Sequence, residues 1–148
     1  MTVIAAVNGE YDEDPVVRTG FDLAKAYGEP LLVLHVMSND EFADRQDSTP
    51  DYYLENAEET ARSLARRVTR GTLGGIGDTR FRGEVGPVAE TILDVAHELD
   101  ADYLVIGGRD RSPVGKALFG SVAQTVLMDA ERPVVSVMEE GEVWEDGE

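Results

Sequence analysis

DYLVIGGRDRSPVGKALFGSV, residues 102–122, runs from an apolar segment through two glycines and a basic loop to a Gly-Ser that opens a helical pattern. The aliphatic run inside DYLVIGG has no polar alternation, as expected of a strand covered on both faces. Phe119, Val122, Ala123, Val126, Leu127 and Ala130 recur at helical spacing and predict a helix from about 120 to 131. The same strand-then-helix grammar repeats on either side. TVIAAVN at 2–8 ends at Asn8-Gly9, and Asp14-Pro15 then reads as N-cap and first helical position, with Val17, Phe21 and Ala24 on one face and Gly28 as the stop. LLVLHV at 31–36 is a second buried strand. The polar stretch 38–50 shows no periodicity and reads as a loop, and residues 51–69 form a long helix with Leu54, Ala57, Ala61, Leu64, Ala65 and Val68 on one face. RGTLGGIGD at 70–78 reads as a flexible connector, TRFRGE at 79–84 as a half-exposed strand, and Val88, Ile92, Val95 and Leu99 as a helix opened by Gly86-Pro87. PVVSVM at 133–138 supplies the last strand.

Five strands alternating with four helices predict a doubly wound α/β domain over residues 1–138, followed by an acidic tail at 139–148. Its sheet is open and parallel, with helices on both faces. A ligand site in such a fold lies beyond the carboxyl ends of the strands, where the winding reverses. The positions to inspect are Val7 to Glu10, Val36 to Ser38, and Ile106 onward.

The 148-residue chain carries 30 acidic against 13 basic side chains, a formal net charge of −17, and no cysteine. Disulfide frameworks and thiolate chemistry are excluded. No window approaches the ~18 apolar residues of a membrane span, and MTVIAAVNG lacks the basic start of a secretion signal, so a cytoplasmic protein is expected. The acidic surface argues against nucleic acid and membrane surfaces as partners. EEGEVWEDGE at 139–148 holds six of the carboxylates; without it the charge is −11, carried on a chain with eleven Arg and only two Lys. Such a balance suits a salt-loving cytoplasm, because at ~1 M salt the screening length is about 3 Å and self-repulsion vanishes.

Against this background, Arg109, Arg111 and Lys116 reverse the sign locally. Backbone N–H groups at a helix N-terminus carry partial positive charge and bind phosphate, and Gly120 lets an oxygen approach the main chain. Ser121 can cap its own helix or donate to a phosphate. Gly107 and Gly108 alternatively need do no more than form the βα turn. Other signatures fail. A Walker loop would need Gly at 110 and a hydroxyl at 117, where Asp110 and Ala117 stand. AVNGEYDED lacks a dinucleotide GxGxxG, the acidic pair of a receiver domain and an adenylating SGGxDS loop. His35, inside the second strand, reads as a hydrogen-bonded interior or edge residue and His97 as partly exposed; neither belongs to a cluster with metal-ligand spacing. Asp12, Glu13 and Asp14 favour the start of the first helix.

Gly107, the nine residues 111–119, and Gly120-Ser121-Val122 have the spacing of the glycine motif that follows the fourth strand in the universal stress protein family. The chain resembles that family over about residues 2–138, including LLVLHV, GEVGPVAETIL and RPVVSVM. The resemblance implies an adenine-nucleotide alpha-hydrolase-like fold with strand order 3-2-1-4-5, and a regulatory or protective protein rather than an enzyme. It further implies ATP, with Mg or Mn, as the cofactor, held at the strand 1/strand 4 switch point. By carry-over, Val7 and Asn8 would face the nucleoside, Val36 and Met37 the adenine, and Gly107, Gly108, Gly120, Ser121 and Val122 the phosphates, with Arg109, Arg111 and Lys116 neutralising charge. The resemblance also implies a homodimer through the last strand, 133–138, which would remove an apolar edge. Two positions depart from the family pattern: the second motif glycine is Asp110, and the acidic residue at the end of strand 1 is Asn8. A nucleotide-free dimeric interaction module, with Asp110 as the disabling change, is the rival expectation.

Overall fold

The computed structural model describes residues 2–110 and 118–138, with backbone alone at 109–110 and 118–119. Five parallel strands form one sheet: β1 (Val3–Ala6), β2 (Leu31–Met37), β3 (Arg80–Val85), β4 (Tyr103–Gly107) and β7 (Val134–Val137). Their order is β3-β2-β1-β4-β7, which is the expected 3-2-1-4-5 once the strands of this sheet are counted along the chain. The registers Val3↔Leu31, Val3↔Tyr103, Leu32↔Arg80 and Leu104↔Val134 align them. Five helices accompany the sheet: α1 (Pro15–Tyr27), α2 (Asn39–Ser48), α3 (Leu54–Leu73), α4 (Val88–Glu98) and α5 (Ser121–Asp129).

Alternate residues of the central strands feed two cores. Val3, Ala5, Val33 and Val105 meet Val16, Val17 and Ala24 of α1 and Ala65 and Val68 of α3. Ile4, Leu32, Leu34, Leu104 and Ile106 meet Ile92, Val95 and Ala96 of α4 and Ala123 and Val126 of α5. Continuous apolar strands therefore follow from having helices on both faces, and every residue of β2 is buried. The winding direction reverses between β1 and β4, which leaves a crevice beyond their carboxyl ends.

α1 starts and stops as its sequence dictates: Asp14 Oδ1 accepts from Val16 N at 2.9 Å, and Gly28 ends the helix in the left-handed region at φ 66°. Three segments differ from the expectation. Residues 39–48 are helical rather than loop, because Ser38 Oγ accepts from Glu41 N at 3.1 Å and starts a helix that buries none of its residues. Periodicity has nothing to report in a helix without a buried face. The long helix runs on through Leu73 to a Gly74 cap, so 70–73 is not connector. Gly71 sits inside it because a Cβ there would lie 2.0 Å from the Asp12 carbonyl oxygen. Finally, two short antiparallel strands, β5 (Arg109–Asp110) and β6 (Leu118–Phe119), form a hairpin between β4 and α5 where one open loop was expected.

Candidate functional site

The crevice is bounded by three chain exits. At the first, β1 ends and Val7 continues it: its N–H donates to the Leu34 carbonyl at 2.9 Å, and its own carbonyl lies 2.8 Å from His35 Nδ1. His35 is buried, so its ring fixes the main chain where the strand lets go. Asn8 is exposed, and its Oδ1 accepts from Glu10 N at 2.9 Å, folding the chain into an Asx turn through Gly9 at φ 75°. The side-chain oxygen of Asn8 is thereby engaged locally, while its NH₂ remains the group able to donate outward.

The loop then descends along α3. Arg67 Nε pairs with Asp12 Oδ1 at 3.0 Å, Asp14 N donates to Thr72 Oγ1 at 3.0 Å, and Arg18 donates to the Thr72 carbonyl at 3.2 Å. An open depression of about 670 Å³ is lined there by Tyr11, Asp12, Glu13, Asp14, Pro15, Arg18 and Thr72. Its acidic lining suits a nucleotide poorly, and its lining includes none of the residues expected to touch one.

At the second exit, β4 ends at Gly107 and Gly108 follows, its N donating to the Val137 carbonyl at 3.0 Å. Val16, in the first turn of α1, lies alongside: a Cβ on Gly107 would be 3.8 Å from its Cγ2, an ordinary contact. The β5–β6 hairpin pairs Arg109 with Phe119, so Gly108 and Gly120 flank its base. The start of α5 is in this way returned to the end of β4. Gly120 is the N-cap, Ser121 the first helical residue, and Ser121 and Val122 are exposed. Gly120 is extended at φ −70°, and Gln124 N donates to its carbonyl at 2.9 Å. Ser121 is thus the first residue of the helix rather than its cap.

The third exit is β2. Val36 and Met37 are buried, Val36 within the core under α4, and the Met37 carbonyl accepts from Gly86 N at 3.0 Å. Val7 is likewise core, so what these three residues present at the crevice is main chain and strand end rather than open side chain. The side chains of Arg109 and Asp110, together with Arg111, Lys116 and the tail 139–148, lie outside the described residues.

Among the described residues no group of three or more His, Asp or Glu side chains converges as a metal site, and no helix is long and apolar enough to cross a membrane. What the arrangement can do chemically is hold an anion on the amides at the start of α5 and a polar planar group beside Asn8. Sequence reading missed the hairpin that brings the two ends together. Its signal was Arg109–Asp110 and Leu118–Phe119, two residues each, too short for alternation to show.

Comparison with known proteins agrees with this anatomy. A universal stress protein from Mycolicibacterium smegmatis is 34% identical over 137 residues, spanning 88% of this chain and 95% of its own. The solved structure of a universal stress protein from Archaeoglobus fulgidus superposes with a TM-score of 0.64 at 29% identity, over 92% of this chain and 97% of that one. A further structure from that organism, a universal stress protein in complex with dAMP, gives a TM-score of 0.59 at 25% identity, with 92% and 96% covered. The model of the universal stress protein family matches residues 1–137, and the chain belongs to that family.

Proposed function

We propose that the chain binds an adenine nucleotide in the crevice between β1 and β4 and serves as a homodimeric, cytoplasmic regulatory stress protein rather than an enzyme. One observation carries the reading: the β5–β6 hairpin returns Gly120 to the base of the turn at Gly107–Gly108, beside the β1 exit at Asn8. The free amides at the start of α5 take the phosphate, with Ser121 as an added hydroxyl donor. Arg109, Arg111 and Lys116 supply countercharge. Val7, Asn8, Val36 and Met37 border the nucleoside at the ends of β1 and β2, where Asn8 donates to a base or ribose acceptor without adding a charge. ATP, with Mg or Mn, and AMP are the ligands to compare. The dAMP complex of the Archaeoglobus fulgidus relative supports an adenine nucleotide of this class.

The test is calorimetric titration in concentrated KCl with ATP and Mg²⁺, and with AMP. The expected result is saturable binding at about micromolar concentrations, weakened roughly tenfold in Ser121→Ala by loss of one phosphate hydrogen bond. Asp110, in place of a motif glycine, supports the rival reading of a nucleotide-free interaction module. Absence of saturation below millimolar ligand would select that reading.

A further inference from the structure

α2 is attached to the body unlike its neighbours. None of its ten residues is buried, and it makes no broad contact with any strand or helix among the described residues. It is held through Phe42, whose ring lies 6.1 Å from that of Tyr52, and through Gln46 Nε2, which donates to the Tyr52 carbonyl at 3.3 Å. Tyr52 is itself firmly placed, its hydroxyl donating to Thr60 Oγ1 of α3 at 2.8 Å. The two ends are natural pivots. Ser38 leads out of β2 directly after Met37, and the return passes through Asp51, a non-glycine residue at φ 58°. A helix of this length is marginal in water by itself, since isolated helices need roughly 12–15 residues, and little packing supplements it here.

We infer that α2 is a flap at the carboxyl end of β2. It exchanges between a docked helix and an undocked coil, and a nucleotide in the crevice shifts it toward the docked form. The inference rests on the nucleotide-binding reading above. A ligand bordering Met37 and Ser38 supplies the packing face that α2 lacks, and ligand and docked helix then stabilise each other. Charge fixes which part of the ligand the flap covers. Asp40, Glu41, Asp44 and Asp47 outweigh Arg45, which pairs with Glu41 at 3.0 Å, so the flap closes over the uncharged nucleoside end and stays clear of the phosphates.

Amide hydrogen exchange read by mass spectrometry on the whole chain tests this, comparing peptides over 39–48 and 54–73, with AMP binding measured independently by calorimetry. Without ligand, residues 39–48 are expected to exchange at least about tenfold faster than the buried face of α3. Phe42→Ala should speed 39–48 further and leave α3 unchanged, and saturating AMP should slow 39–48 several-fold. Protection of 39–48 equal to that of α3 would overturn the flap. So would unchanged exchange when calorimetry shows AMP bound, an outcome that leaves the nucleotide reading intact. If calorimetry shows no AMP binding, the nucleotide reading fails by that measurement and the ligand-closed flap fails with it.

Discussion

Glu29 shows how much one side chain can hide from a sequence reading. It lies between α1 and β2 and looks like an ordinary surface carboxylate. In the fold, Asp102 N donates to the Thr2 carbonyl while Val3 N and Thr2 Oγ1 donate to the Pro30 carbonyl, so the segments holding Glu29 and Asp102 meet beneath the start of β1. Glu29 Oε1 is shut off from solvent without a hydrogen-bond partner among the described residues. The Asp102 carboxyl beside it, which can hydrogen-bond to Glu29 only through a proton, then burial and the Asp102 charge, push the Glu29 carboxyl above its usual range, against the opposing pull of the amino terminus. A carboxyl raised by folding contributes stability that is fully present below its unfolded value and is lost as pH rises through the folded one. Glu29→Gln, which keeps the shape and donates permanently to Asp102, is therefore expected to melt higher than the parent at pH 7 and to flatten the decline in melting temperature above pH ~4.5. Thermal melts of both proteins across pH 4 to 8 check this; identical profiles would contradict it. His35 was more legible, since a histidine within a run of buried aliphatics needs a partner, and Val7 provides one.

At the scale of elements, the legible parts were those with a buried face. The three central strands and α1, α3, α4 and α5 announce themselves through aliphatic runs or helical spacing because two cores demand it. α2 has no such face, yet Ser38 three residues before Glu41 is a capping signature readable without periodicity. The hairpin at β5–β6 is too short to read, and it is what assembles the candidate site. The glycine motif was visible in the sequence, whereas the closeness of Gly108 and Gly120 is a property of hairpin register. β3 carries a tighter constraint. A Cβ on Gly83 would lie 2.2 Å from the Glu58 carbonyl oxygen and 2.4 Å from Arg62 N, both backbone atoms of α3. Gly83→Ala is expected to push α3 off the sheet edge and to cost about 1–3 kcal/mol in urea unfolding, the range for overpacked sites. A midpoint equal to the parent's would show that α3 packs less closely on β3 than it does here.

For the whole molecule, charge and edges decide behaviour. A surface at −17 repels itself at low ionic strength, where the screening length is about 10 Å at 0.1 M, and is quiet at molar salt. The melting temperature is accordingly expected to rise between 0.1 M and 2 M KCl; equal values would contradict the reading of this surface as suited to salt. β7 ends the sheet with Val134 to Val137 only partly covered, and Val122, Leu127, Met128 and Met138 are exposed nearby in sequence on α5 and just beyond β7. Pairing β7 with a second copy would satisfy that edge. Val135→Lys is expected to convert a dimer to monomer in sedimentation equilibrium, and a parent that is already monomeric would contradict the proposed assembly.

An adenine nucleotide bound as proposed sits where the winding reverses. Amide chemical-shift mapping during titration with AMP locates the ligand directly. Saturable shifts concentrated at Asn8, Gly9, Gly107, Gly108 and Gly120 to Val122 are the predicted result. No saturable shift, or shifts centred on the depression around Asp12 and Thr72, would contradict it.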